Sequence, residues 1–327
     1  MRAGRLALLL SGALSGSPVQ AGPDFDQYVA SLKEQALAAG MLPETVSAAF
    51  ADVHLVDAAI RHDKNQPEFK LTLDTYIPRA VPEWKVKQAQ TLYRQHLPLL
   101  TKIGREYGVQ PRFIVALWGI ETNFGKITGH YPLISYLLSL ISSLSTLAWD
   151  GRREAFFKGE LFDVLRILEQ GHVNPANFKG SWAGAMGQVQ FMPSSFLQYA
   201  VDQDGDGKKD LWGNLADVFG SAANYLSQNG WREDQTWGRR VRVPEALDPA
   251  LLGLEIRKPL SAWQALGVRQ LDGFPLPRVD MQASLIRPDD IHGRSYLAYD
   301  NYRVLRHWNR SPYFVVAVGT LADRIVK

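Results

Sequence analysis

The stretch PRFIVALWGIETNFG, residues 111 to 125, constrains this chain more than any other. Pro111 suits the first position of a helix, and Gly125 suits the residue just past its end. Between them, Ile114, Leu117, Trp118 and Glu121 recur at spacings of three and four, so they share one helical face. A helix this apolar has to be packed inside other helices, and it carries a carboxyl with it. Glu121 falls in the last turn, where the macrodipole end is negative. Burial and that dipole both disfavour the ionised form, so its pKa is expected to rise. A carboxyl that keeps its proton near neutral pH is what a general acid requires. The same spacing also fits a Glu at the helix rim, hydrogen-bonded to a loop, because structural networks shift pKa values too.

Cleavage of a glycosidic bond usually needs a second carboxylate as nucleophile or base. Asp150, Glu154 and Glu160 follow along the chain, but they read as part of a charge-rich surface helix. A single acid suits another reaction, in which the substrate supplies its own hydroxyl at high effective molarity. The seven histidines show no H-x-x-H or H-E-x-x-H spacing, and no G-x-S-x-G is present. The motifs of zinc hydrolases and serine hydrolases are therefore missing.

A second motif is DQDGDGKKD, Asp202 to Asp210, which matches the opening of a calcium loop, D-x-[DN]-x-[DN]-G. Asp202, Asp204 and Asp206 would supply hard oxygen ligands, and Gly207 the sharp turn. The Lys208 carbonyl would follow, with Asp210 acting through water. Position twelve, normally Glu, is Gly213 here, and Asp217 is placed to close a longer loop. Such a cation would be structural, since three Asp within five residues repel one another without one.

The rest of the 327 residues reads as helical segments followed by a strand-bearing insert. Residues 24 to 60 and Lys85 to Tyr107 have helical periodicity, with DTYIPRAVPEW as a Pro-broken connector. Helical spacing returns in GRREAFFKGELFDVLRILEQG and in LADVFGSAANYLSQNGW. After Trp237 the chain alternates and is marked by Pro, a strand-and-turn pattern that extends through SYLAYDNYRVL. SPYFVVAVGTLADRIVK is helical again. LISYLLS followed by LISSLST, Leu133 to Thr146, is a seven-residue near-repeat that keeps a helical apolar face in phase.

Composition narrows the setting. With 36 basic and 33 acidic residues and no basic stripe, a nucleic-acid partner is not indicated. The first 21 residues have the charged start, short apolar run and small residues of a secretory signal. No later segment offers the roughly 18 uncharged apolar residues of a membrane span. There is no Cys, hence no disulfide and no lipid attached through an N-terminal Cys. These features predict a soluble exported or periplasmic monomer.

ALWGIETNFG, TLAWDGRREAFFKGEL, GSWAGAMGQVQFMPSSFLQYAVDQDGDGKKDLW, NYLSQNGW and YRVLRHWNRSPYFVVAVGTLADRI together resemble the lytic murein transglycosylase B family of bacterial cell-wall enzymes. The resemblance covers most of residues 25 to 327. It implies an α+β, predominantly α fold: a lysozyme-like helical core at 101–235, an N-terminal helical domain at 22–100, a small β-domain at 236–300, and a C-terminal segment, 301–327, returning to the helical part. It implies cleavage of the β-1,4 bond between N-acetylmuramic acid and N-acetylglucosamine in peptidoglycan, leaving 1,6-anhydro ends, with no catalytic cofactor. Other cell-wall enzymes are the further partners it suggests. Glu121 would be the catalytic acid and then the base. Ser181, Gln190, Phe191, Tyr225, Trp308 and Asn309 would line the cleft. Trp308 stands where the family has Tyr, and Phe314 where Tyr is common, so each keeps the apolar surface without the hydroxyl. The resemblance also assigns calcium to the loop from Asp202 to Asp217. The alternatives are a hydrolytic muramidase and a non-catalytic glycan-binding scaffold.

Overall fold

The computed structural model describes residues 24–64, 72–127, 140–173, 180–289 and 293–326. The signal-like segment and the first half of the Leu/Ser near-repeat lie outside these residues. The described chain is mostly helical, with a small antiparallel sheet, in line with the fold class expected from the sequence.

Three helices open the fold: α1 (Phe25–Ala38), α2 (Pro43–Ala49) and α3 (Asp57–Lys64). The supposed Pro-broken connector is instead α4 (Leu73–Ala80), with Pro78 inside it. Pro78 sits in the last turn, where its missing N–H forfeits only one helical bond. The stretch expected as one helix from Lys85 divides at His96 into α5 (Glu83–Gln95) and α6 (Leu97–Tyr107). Pro98 in the first turn of α6 accounts for the break, since it lacks an N–H and disfavours helix in the residue before it.

Helix α7 (Pro111–Thr122) starts at Pro111 as the sequence indicates, and residues Phe113 to Gly119 are all buried. It ends at Thr122, and Asn123, Phe124 and Gly125 all follow at positive φ. The described part of the near-repeat forms α8 (Leu140–Trp149), buried from Leu140 to Ala148. Two of its hydroxyls meet backbone from the preceding region: His54 N–H donates to Ser142 Oγ at 3.3 Å, and Val56 N–H to Thr146 Oγ1 at 3.0 Å. Serine and threonine in so apolar a helix thus serve packing against residues 54 to 56. Helix α9 (Glu154–Glu169) packs on α8, and α10 (Pro193–Tyr199) packs on α9. Helix α11 (Leu215–Gln228) follows the acidic loop.

The strand-bearing region holds β1 (Gly238–Arg242), β2 (Lys258–Pro259), α12 (Leu260–Ala265), β3 (Arg269–Gln270), β4 (Gln282–Ile286) and β5 (Ser295–Ala298). The strands pair antiparallel in the order β2-β4-β5-β1-β3. This region has its own small core around Trp263, Leu285 and Leu297. The helices outside this region share one larger core.

The extended pattern expected over SYLAYDNYRVL ends at Ala298; the rest is α13 (Asp300–Trp308). Asn301, Tyr302, Val304 and Leu305 are buried there, at helical spacing. The last helix, α14 (Pro312–Ile325), lies against α7. Their approach is close enough that a Cβ on Gly119 would stand 2.6 Å from the Phe124 ring and 3.1 Å from Leu321. The C-terminal segment therefore clamps the helix that bears Glu121.

Candidate active site

Glu121 lies one residue before the end of α7 and is partly buried. Burial pushes its pKa up to about 7, and a hydrogen bond from Trp308 draws it down only in part. That bond runs from the indole Nε1–H to Oε1 at 2.7 Å. Among the described residues no neighbouring carboxylate contributes to the shift. With that pKa, the acid divides at neutral pH between its protonated and ionised forms.

The carboxylates considered as partners are engaged elsewhere. Asp150 pairs with Lys64 at 2.6 Å, and Glu154 accepts the Tyr28 hydroxyl at 3.0 Å. Glu160, expected on a surface, is buried beneath α10 and accepts from Ser194 N at 2.9 Å and Oγ at 2.7 Å.

Trp308 is held by aromatic rings. Its centroid lies 4.7 Å from Tyr225 and 5.3 Å from Phe191, and Tyr225 in turn lies 4.5 Å from Tyr199. Edge-to-face and tilted pairs of this kind suit the aromatic quadrupole and fix ring orientation. Phe191 and Tyr225 are both buried, so they back the Trp308 ring and expose little surface of their own. Burial, and then the neighbouring Tyr199, push the Tyr225 hydroxyl up to about 12, so it stays protonated. The indole N–H gives Glu121 a donor at the position where the resemblance leads one to expect Tyr.

The other expected cleft residues have mainly local partners. Ser181 shapes a turn: its N–H donates to Ala185 O at 2.7 Å, and its Oγ accepts from Ala185 N at 3.1 Å. Gln190 has φ +52° and donates to Gly187 O at 3.0 Å. Asn309 is exposed, and its Oδ1 accepts from Ser311 N at 2.9 Å.

Two residues near the site escape sequence reasoning. Tyr76 on α4 has its pKa raised by burial and then by the charge of Glu121, which puts it within electrostatic reach of the acid. Its ring meets Tyr313 edge-on at 5.4 Å. Gln188 is buried and accepts from Trp118 Nε1 at 2.7 Å, while its Nε2 donates to Trp212 O at 2.7 Å. Its carbonyl accepts from Thr122 Oγ1 at 2.6 Å. Gly125 is required beside it, because a Cβ there would stand 2.2 Å from the Gln188 side-chain oxygen. A glutamine between two small residues gives no sequence signal of this role.

In the acidic loop, carboxylate oxygens of Asp202, Asp204 and Asp217 lie within 4.8 Å of one another. Asp206 and Asp210 are outside that group. Asp206 Oδ1 accepts from Lys208 N at 2.8 Å, and Asp210 Oδ1 accepts from Trp212 N at 2.8 Å and Gly213 N at 2.9 Å. Asp217 is fully buried and accepts from Gln203 N and Asp210 N, each at 2.7 Å. Burial, and then the charges of Asp204 and Asp202, raise its pKa. Burial opposes the charge of Asp202 too, but the N–H groups of Gly207, Gly205 and Asp206 outweigh it and hold that pKa down. Three converging hard oxygen donors, one of them buried among like charges, fit a divalent cation such as calcium.

Comparison with known proteins agrees with this architecture. Residues 24–323 match the family model described as the transglycosylase SLT domain. The chain is 34% identical over 244 residues to the membrane-bound lytic murein transglycosylase B of Escherichia coli strain K12. That match covers 73% of this chain and 63% of the relative's length. It is similar to the crystal structure of SltB3 from Pseudomonas aeruginosa in complex with NAG-anhNAM-pentapeptide, with TM-score 0.87 and 41% identity, over 93% of this chain and 80% of that one. It is also similar to the Escherichia coli lytic transglycosylase Slt35 in complex with calcium, with TM-score 0.76 and 28% identity, over 95% of each chain.

Proposed function

Because this chain belongs to the lytic murein transglycosylase B family, we propose that it is a lytic transglycosylase of peptidoglycan. It cleaves the β-1,4 bond between N-acetylmuramic acid and N-acetylglucosamine and forms 1,6-anhydro-muramoyl ends. One observation carries the choice of reaction: among the described residues no second carboxylate acts on Glu121, whose pKa is pushed up to about 7.

In the first step protonated Glu121 donates to the glycosidic oxygen. The C–O bond breaks, the N-acetylglucosamine side leaves as an alcohol, and charge of oxocarbenium character develops on the muramoyl ring. Glu121 is now a carboxylate, with one oxygen held by the Trp308 N–H. In the second step it takes the proton of the muramoyl 6-hydroxyl as that oxygen bonds to C1. The acid is restored and no water is consumed. The internal hydroxyl has a high effective molarity, so no second carboxylate is needed to activate a nucleophile.

A hydrolytic muramidase would need a base for water, and the engagement of Asp150, Glu154 and Glu160 elsewhere disfavours it. A non-catalytic scaffold gives no reason to hold a carboxyl near its titration point with a single oriented donor. The complex of SltB3 with an anhydro-muramoyl peptide also supports the anhydro product.

Asp202, Asp204 and Asp217 would hold calcium, with Asp206, the Lys208 carbonyl and Asp210 completing or shaping the loop. Bound there, the cation would neutralise the loop's carboxylates and stabilise the fold; the chemistry at Glu121 does not use it. Ser181, Gln190 and Asn309 are assigned to sugar contacts, and Phe191 and Tyr225 to backing the Trp308 ring. Such a substrate lies outside the cytoplasm, consistent with the leader-like N-terminus. Among the described residues no helix is long and apolar enough to cross a membrane. Mass analysis of fragments released from purified sacculi tests the reading: anhydro ends support it, and reducing muramoyl ends refute it.

A further inference from the structure

We propose that Gln188 is a positioning residue for Glu121, tying the acidic loop to the last turn of the helix that carries the acid. The inference rests on the reading of Glu121 as the catalytic acid.

The helix stops one residue after Glu121, and three residues at positive φ follow, so the turn that carries the acid is a helix end. The Phe124 N–H caps it on Trp118 O at 3.2 Å, and Trp308 holds one carboxyl oxygen. Gln188 adds two further anchors. Trp118, three residues before Glu121, donates to its side-chain oxygen, and Thr122, one residue after, donates to its carbonyl. Thr122 Oγ1 also accepts from Gly125 N at 3.1 Å, so the chain leaving the helix joins the same cluster. The Glu121 backbone is thus gripped on both sides by one buried residue.

Gln188 is itself fixed from the acidic loop. Its N–H donates to Leu211 O at 2.7 Å, and its Nε2 to Trp212 O at 2.7 Å. Trp212 N donates to Asp210 Oδ1 at 2.8 Å, and Asp210 N donates to the buried Asp217 at 2.7 Å. Hydrogen bonds linked through Asp210, Trp212 and Gln188 therefore join Asp217 to Trp118 and Thr122, which flank the acid. The path is buried at Gln188, where each bond is strengthened by low dielectric and each lost bond is costly.

The test uses the whole chain, with Gln188→Met, which keeps length and removes both amide bonds, and Thr122→Val, which leaves Gln188 in place. Three readouts are taken with calcium and with chelator: the thermal midpoint, the Trp118 indole N–H resonance in isotope-labelled protein, and kcat and KM on glycan strands. In the wild type, calcium raises the midpoint and shifts the Trp118 resonance. In Gln188→Met the rise in midpoint persists, the resonance no longer responds to calcium, and kcat falls on the order of ten- to a hundredfold with KM little changed. Thr122→Val shows the same split of kcat from KM, and it decides the case if Gln188→Met fails to fold. A Trp118 resonance that ignores calcium in the wild type overturns the link, as does a kcat preserved in both variants. If the wild type releases no anhydro ends, the functional reading fails by itself, and the resonance still decides whether Gln188 couples loop and helix.

Discussion

The Trp308 indole N–H donates to Glu121 Oε1 at 2.7 Å across 187 residues of sequence. The last turn of α13 thereby holds one oxygen of the acid that ends α7. This contact leaves the other oxygen for a substrate and moderates a pKa that burial has raised.

Glu121→Gln is expected to fold normally, because the amide is nearly isosteric and still accepts from Trp308. Loss of general acid and base catalysis removes about 10²-fold to 10⁴-fold of rate or more. Lysis assays on sacculi check the activity, and circular dichroism checks the fold.

The same variant isolates a pH effect on stability. The folded pKa of Glu121, about 7, lies above its ordinary value of 4.5. Below that ordinary value the carboxyl is protonated in both states and costs nothing. As pH rises toward 7, the unfolded chain ionises first and the wild type loses stability relative to Glu121→Gln. By pH 8 the difference should be about 1–3 kcal/mol in favour of the variant, discounted for the residue's partial exposure. Paired urea melts at pH 4 and pH 8 measure it, and an equal difference at both would contradict the shift.

Trp308→Phe keeps most of the ring but removes the donor. Since that bond lowers the Glu121 pKa, its loss moves the alkaline limb of the rate profile to higher pH. Activity at the optimum should fall about tenfold, as for a lost hydrogen bond to a charged group. Trp308→Phe with an unmoved limb would mean that the bond does not form in solution.

Calcium should raise the thermal midpoint, and chelation should reverse the rise. At 100 times its dissociation constant a ligand adds about 2.7 kcal/mol. Asp217→Asn should abolish the response, while Asp206→Asn, outside the converging group, should only weaken it. Calorimetric scans with and without chelator read both.

Asn301 offers a test of the scaffold alone. It is fully buried, accepts from Arg232 N, and donates to Arg232 O and Gln235 O, all within 2.9 Å. Asn301→Ala should cost about 1–3 kcal/mol by leaving those groups unpaired. Denaturant melts check the figure.

How much of this was legible beforehand depends on the range of the interaction. Pro111, the apolar face and Glu121 near the helix end follow from local spacing, and the structure retains them. The acidic loop was readable from six residues, and Asp217 was found as its closing carboxylate. The charged neighbours of Glu160 suggest a surface, whereas α10 packs over it. Pro78 suggested a break that the last turn of α4 tolerates. Trp308 reaches Glu121 only because the segment after β5 coils into α13. Gln188 acts through backbone neighbours far apart in sequence, so neither periodicity nor motif reveals it.

The central step is that Glu121 both gives and recovers a proton without water. Mass analysis of fragments from purified sacculi, with wild type and Glu121→Gln side by side, tests it most directly. Muramoyl ends lighter by one water are expected from the wild type and none from the variant. Hydrated reducing ends from the wild type, or equal release by both proteins, would contradict it.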